Sequence, residues 1–185
     1  MSATTDLSTF NNNWYKPGHP LIVFIWYFVN VIFFLNPFNP FSSLKVFLLK
    51  CFGARIGKKV LIKPGISIKY PWKLSLGDNC WLGENVWIDN LDEVVIGNNV
   101  CVSQGALLLC GNHNYKKSSF DLITGKIILE DGCWIGARAV VCGGVTCKTH
   151  SVLSVNSTAN KDLEPYSIYQ GTPAVKVRER VIVKN

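Results

Sequence analysis

Several things are scarce in this chain, and each shortage argues against a class of protein. The basic residues form no long run. Nineteen Lys and Arg against twelve Asp and Glu give a formal charge of +7, but they are scattered apart from Lys58-Lys59, Lys116-Lys117 and the tail from Lys176 to Lys184. That spread does not suit nucleic acid; it suits an anionic cofactor or a membrane surface. No apolar run reaches the ~20 residues that a membrane span needs. The longest, Leu21–Leu35, has 15 residues. It does not read as a secretory leader, because a polar arm precedes it and no small-residue cleavage site follows. Disulfide arithmetic also fails, since the seven cysteines are odd in number; they read as reduced, mostly buried thiols of a cytosolic protein. Cys142, Cys147 and His150 match no zinc spacing, so no metal is expected.

What the chain does have is a period of six. From Leu129 to Glu164 the residues opening successive hexads are Leu129, Ile135, Val141, Cys147, Leu153 and Ala159. The fifth places are also small or apolar: Cys133, Ala139, Val145, Ser151, Ser157 and Leu163. A helix needs apolar spacings of three and four, and a lone strand alternates by two. Six fits neither. It fits short strands joined by tight corners, three to a coil, each sending one side chain inward: a parallel β-helix.

The same rhythm begins at Ile56 and restarts at Leu76 and again at Ile96, displaced by two residues each time. Pro71-Trp72-Lys73 and Asp92-Glu93-Val94 therefore mark corners with small outward insertions. The expected division is a polar arm and an apolar, helical capping or interfacial segment over 1–53, the β-helix over 54–165, and a tail over 166–185. Residues 1–19 read as a mobile arm with His19 a bystander. Leu21–Leu35 and Phe41–Phe52 read as two short helices, with Ser42 or Ser43 as a cap and Gly53 at the stop. They could close one end of the prism, dip into a membrane interface, or do both.

The phase breaks between Cys110 and Lys126. A polar insert over 111–125 leaving a strict repeat is more often functional than structural, and His113 lies at its root. Imidazole, with an ordinary pKa near 6.5, suits removal of a proton from an attacking hydroxyl at neutral pH.

Gly53-Ala-Arg-Ile-Gly57, Ile68-Lys-Tyr-Pro-Trp72, Trp87-Ile-Asp-Asn90, Gly111-Asn-His-Asn-Tyr115, Cys133-Trp-Ile-Gly-Ala137 and Gly171-Thr-Pro-Ala174 together resemble the WcaF-type acetyltransferases of exopolysaccharide synthesis. The resemblance covers about residues 20–180. It implies an all-β, left-handed parallel β-helix, a handedness that the crossover rule would not supply. It also implies a homotrimer, acetyl-CoA as donor and a sugar hydroxyl as acceptor. The apolar segment 21–35, short for a span yet rich in interfacial aromatics, separately predicts a cytoplasmic protein in peripheral contact with the inner face of a membrane, near a lipid-linked glycan acceptor. By the same resemblance His113 is the general base, and Asn90, or Asp89 one place earlier, lies near the sugar.

Trp134 and Ala137 match positions along the pantetheine arm, Trp134 being equally suited to trimer packing. Lys161, Lys176 and Arg178 are the candidates for the CoA phosphates. The chain departs from the family at Thr172 and Lys176, where Asn and Arg are usual. Two further classes compete. A γ-type carbonic anhydrase shares the architecture but needs three histidines on facing coils, which His19, His113 and His150 do not provide. A non-catalytic hexapeptide scaffold, or an enzyme for a small acceptor outside polysaccharides, remains as the alternative.

Overall fold

The computed structural model describes residues 4–184. Its coils are built from very short strands. The first coil has β1 (Arg55–Ile56), β2 (Leu61–Ile62) and β3 (Ser67–Ile68); the second has β4 (Leu74–Leu76), β5 (Trp81–Leu82) and β6 (Trp87–Asp89). The third has β7 (Val94–Ile96), β8 (Cys101–Val102) and β9 (Leu107–Leu109). A hairpin of β10 (Gly111–His113) and β11 (Leu122–Thr124) then leaves the prism. The fourth coil follows with β12 (Ile127–Leu129), β13 (Trp134–Ile135) and β14 (Val140–Cys142), and the fifth with β15 (Thr146–Cys147), β16 (Val152–Leu153) and β17 (Thr158–Ala159).

Equivalent strands stack in parallel into three sheets: β1-β4-β7-β12-β15, β2-β5-β8-β13-β16, and β3-β6-β9-β14-β17. The register accounts for the sequence period. Ile128 pairs with Thr146, a step of three unbroken hexads. Lower in the stack Arg55 pairs with Ser75 and Ser75 with Val95, so each of those steps is three hexads and a dipeptide. The extra pair sits at a 3-10 turn over Pro71–Lys73 and around Leu91–Glu93, as the shifted rhythm requires. Val95 pairs with Ile128, and the much longer step between them contains the whole hairpin.

The inward side chains make one continuous core. Every first-place and fifth-place residue named above between Leu129 and Leu163 is buried, with at most 3% of its surface exposed. Each fully buried Leu or Ile contributes about 1.5–3 kcal/mol, so the repeat is held mainly by its interior. Corners add a second support. The Asp78 carboxylate accepts from the Lys58 amide (2.6 Å), the Asn98 side chain from the Asp78 amide (2.8 Å), and the Asp131 carboxylate from the Asn98 amide (2.7 Å).

A parallel stack leaves an open strand edge at each end, a site for unwanted pairing. The N-terminal helices close the first. In α1 (Pro20–Val29), which runs on as a π-helical stretch over Asn30–Phe34, Trp26 Nε1 donates to the Ile68 carbonyl (2.8 Å) and Asn30 Oδ1 accepts from the Ile68 amide (3.3 Å). From α2 (Ser42–Cys51), Ser42 Oγ accepts from the Ile62 amide (2.8 Å). Ser42 is therefore not the helix cap expected from sequence. Phe41 holds that position and Ser42, one residue on, turns its hydroxyl to the coil. Gly53 does end the helix. Its φ of +89° suits glycine, and the Gly53 and Ala54 amides close on the Lys50 and Leu49 carbonyls, the Schellman pattern.

Two other expectations change. The described part of the arm is docked rather than free: Asp6 N donates to the Ser118 carbonyl, Tyr15 Oη to the Leu91 carbonyl, and Trp72 Nε1 to the Pro17 carbonyl. His19 is no bystander, because its Nδ1 caps α1 at the Leu21 amide (3.3 Å). The tail is also structured. β18 (Ser167–Gly171) adds to β16, and β19 (Ala174–Glu179) folds back antiparallel, closing the second sheet at the far end.

Candidate active site

His113 ends β10, opposite Leu122 across the hairpin. Its ring lies flat on Phe120, with centroids 4.5 Å apart and planes 7° from parallel, and Phe10 of the arm tilts over it at 5.9 Å. The Phe120 carbonyl sits 2.9 Å from Nδ1. A carbonyl only accepts, so Nδ1 carries the proton and donates. In the neutral ring Nε2 then presents its lone pair. That is the tautomer a general base needs, fixed by backbone and by two aromatic faces.

The second element is a groove of about 640 Å³ along the second sheet and its corner with the third. Trp134, Ala137 and Arg178 line it together, as do Ser103, Val155 and Arg180. The wall is shaped by close stacking. A Cβ on Gly136 would lie 2.6 Å from the Val155 nitrogen, so only glycine lets the two coils meet here. Trp134, about half exposed, is oriented by a hydrogen bond from Nε1 to Ser103 Oγ (2.9 Å). Arg180 Nη1 donates to the Gly132 and His150 carbonyls, at 2.8 and 3.1 Å, and pins the tail to the coil. Arg178 is solvent-exposed at the groove.

Lys161 and Lys176 fall elsewhere. Lys161 is exposed on the corner after β17, and Lys176, also exposed, pairs with Glu179 at 2.7 Å. Neither lines the groove with Arg178. No residue of 111–125 lines it either. The hairpin leaves the corner where the third sheet turns to the first, whereas Gly136-Ala137 is the corner between the second and third. Within one chain, histidine and groove occupy different edges of the prism.

Asn90 is fully buried, and its amide is used on both sides. Nδ2 donates to the Tyr70 carbonyl (2.6 Å) and Oδ1 accepts from the Tyr70 amide (2.9 Å). It extends the sheet as a backbone would, so the expectation that it orients an acceptor gives way to a structural role. Asp89 differs. Its carboxylate pairs with Lys69 (2.9 Å) and faces a cavity of about 330 Å³ shared with Trp87 and Tyr27. It also lies directly under the hairpin root, where a Cβ on Gly111 would stand 3.6 Å from Asp89 Oδ2.

The cysteines divide by position. Cys147 is inside the prism and Cys142 half-buried on its outer wall, while His150 stacks on Tyr166 at 4.8 Å. Cys110, nearest the hairpin, is buried, and burial pushes its thiol up to about 12. Sequence reasoning missed Ser103, Arg180, Phe10 and Phe120. The register that stacks Trp134 on Cys101 would have placed Ser103 beside the indole. Nothing in the sequence marks the Phe120 carbonyl.

Stacked three-sided coils interrupted by one hairpin define a hexapeptide-repeat protein, and solved structures agree. A hexapeptide-repeat acetyltransferase from Vibrio cholerae superposes with a TM-score of 0.72 at 25% identity, covering 77% of this chain and 83% of that one. Galactoside acetyltransferase in complex with coenzyme A shares the fold with a TM-score of 0.75 at 22% identity, covering 86% and 81%. No protein-family model matches the sequence. The colanic acid biosynthesis acetyltransferase WcaF of Escherichia coli (strain K12) is 35% identical over 177 residues, covering 95% of this chain and 97% of WcaF. The galactoside O-acetyltransferase of the same organism is 27% identical over 135 residues, 71% of this chain and 66% of that enzyme. The chain belongs to the WcaF-type family of hexapeptide-repeat acetyltransferases, with their left-handed parallel β-helix.

Proposed function

We propose that this acetyltransferase moves the acetyl group of acetyl-CoA to a sugar hydroxyl of a polysaccharide or lipid-linked glycan, directly and with His113 as general base. The observation that carries this is the Nδ1–H to Phe120 carbonyl bond, which leaves Nε2 basic. As the acceptor oxygen attacks the thioester carbonyl, its proton passes to Nε2. The tetrahedral oxyanion is held by a backbone N–H of the coil. Collapse breaks the C–S bond, and the imidazolium returns its proton to the departing thiolate. Relatives named for colanic acid and galactoside acetylation support a sugar acceptor. Complexes of fold neighbours with acetyl-CoA or coenzyme A support the donor.

In this reading the pantetheine arm lies along Trp134 and Ala137, and Arg178 meets the phosphates. Asp89 with Trp87 forms the acceptor side, a carboxylate for hydroxyls beside an aromatic face. Because one subunit separates histidine from groove, the working site forms between subunits of a cyclic homotrimer of about three times 20.6 kDa. Thiol release from acetyl-CoA over a panel of sugars tests the reaction. Mass spectrometry of glycans made with and without the protein identifies the acceptor. Absence of thiol release with every sugar and glycan would favour a non-catalytic scaffold, and a stable, active monomer in light scattering would remove the shared site.

A further inference from the structure

The charge of this protein is not evenly spread. Between Leu7 and Gly77 there is no Asp or Glu, while Lys16, Lys45, Lys50, Arg55, Lys58, Lys59, Lys63, Lys69 and Lys73 all fall there. That stretch is the arm, the helical cap, the first coil and the start of the second, so most of these cations gather at the capped end of the prism. Lys50, Lys58, Lys59 and Lys63 are exposed and enter no ion pair among the described residues.

The same end is the most apolar surface of the molecule. The cap uses only a narrow stripe against the coil, centred on Trp26, Phe34 and Leu49. Phe24, Tyr27, Phe28, Phe38, Phe41 and Phe47 stay exposed, Phe38 by 90%. Monomeric proteins rarely leave a contiguous apolar patch of this kind without a partner. No helix among the described residues is long and apolar enough to cross a membrane. Nor can α1 stand upright, because Trp26 and Asn30 tie it along the edge of the first coil. Helices laid flat, with aromatic side chains outward and a cationic ring behind them, have the chemistry of an interfacial anchor.

We infer that the helical cap docks this enzyme on an anionic phospholipid surface, with Phe24, Phe28 and Phe38 entering the headgroup boundary and Lys50, Lys58, Lys59 and Lys63 facing the lipid phosphates. The inference concerns attachment and holds whether or not the acetyl acceptor is the one proposed above.

The test is co-sedimentation of the full chain with vesicles of mixed phosphatidylcholine and phosphatidylglycerol, and with vesicles of phosphatidylcholine alone. Binding to the anionic vesicles is expected at least tenfold tighter than to the neutral ones, and largely lost in about 0.5 M salt, where the Debye length falls to about 4 Å. Phe24→Ser with Phe38→Ser should weaken vesicle binding at least tenfold with an unchanged light-scattering mass and melting temperature. Lys50→Gln with Lys63→Gln should weaken it less and reduce the salt dependence. Failure to bind, or equal binding to both vesicles, overturns the inference. So does a phenylalanine pair that lowers the oligomer mass while leaving vesicle binding intact, because the patch would then join protein to protein.

Discussion

The Gly136-Ala137 corner and the hairpin bearing His113 belong to one prism but are held in place by opposite means. The corner is clamped by coils on both sides, so closely that a single Cβ would collide with the Val155 nitrogen. The hairpin is tied at its root to the coil. Beyond that it depends on its own Phe120 and on the arm, through Phe10 and the Asp6–Ser118 bond. A repeat can make a long, rigid wall for an extended cofactor, but each of its outward positions repeats the one below. A reactive group with its own geometry needs an interruption. Binding and catalysis should therefore fail separately when each region is damaged.

The largest effect is expected from His113→Ala. Loss of a general base typically lowers turnover about 10²–10⁴-fold, so kcat should drop at least 100-fold. Acetyl-CoA affinity, followed by calorimetry, should stay within twofold, and the melting temperature should barely move. Activity within tenfold of the parent would assign the proton transfer to another group. Gly136→Val should show the reverse pattern. Its side chain would force the fourth and fifth coils apart, at a cost of about 3 kcal/mol or more and roughly 10 °C in melting temperature. Acetyl-CoA affinity should be lost with it, because the groove wall moves.

Phe10→Ala tests the arm. An aromatic contact of this kind contributes about 0.5–1.5 kcal/mol, so kcat should fall about 2–10-fold with KM for acetyl-CoA unchanged. No change in kcat would mean that the hairpin orders itself without the arm. Asn90→Ala leaves the buried Tyr70 amide unpaired, while the Tyr70 carbonyl keeps only the Lys73 amide (3.0 Å), and should cost about 1–3 kcal/mol of stability. The KM for the acceptor should not move. A selective rise in that KM without a change in stability would restore Asn90 to the acceptor site.

These regions also differ in how legible they are from sequence. The wall can be read because an inward residue must be apolar in every coil; Leu129, Ile135 and Val141 announce the core without help. Even the shifted restarts at Leu76 and Ile96 translate directly into the longer pairing steps of the lower coils. Trp134, Ala137 and Arg178 line one groove. What the chain could not declare is how outward polar groups are used. Asn90 in a corner motif reads as a free amide until Tyr70 is seen closing on it from the coil below. Lys161 and Lys176 are candidates by charge alone, and charge does not say on which edge a side chain lies. The arm, polar and free of periodicity, gives no sign of docking, since its partners are mostly carbonyls that carry no sequence signal.

The smallest expected effect belongs to the residue that a covalent mechanism would need most. Cys110 precedes the hairpin and could in principle accept the acetyl group before the sugar does. Its surroundings argue against it. The side chain faces the interior with 1% of its surface exposed, and burial pushes the thiol up to about 12. At pH 7 the thiol therefore stays protonated, and the thiolate is the nucleophile. The ionised form stays scarce until the pH nears that value. Cys110→Ala should thus remove one buried sulfur at a cost of about 1 kcal/mol and leave kcat within twofold. No acetylated peptide containing Cys110 should be trapped by rapid quenching into acid. If Cys110→Ala abolished turnover while His113→Ala kept it, and the acetyl thioester were found on that peptide, transfer would run through the wall of the prism rather than across its hairpin.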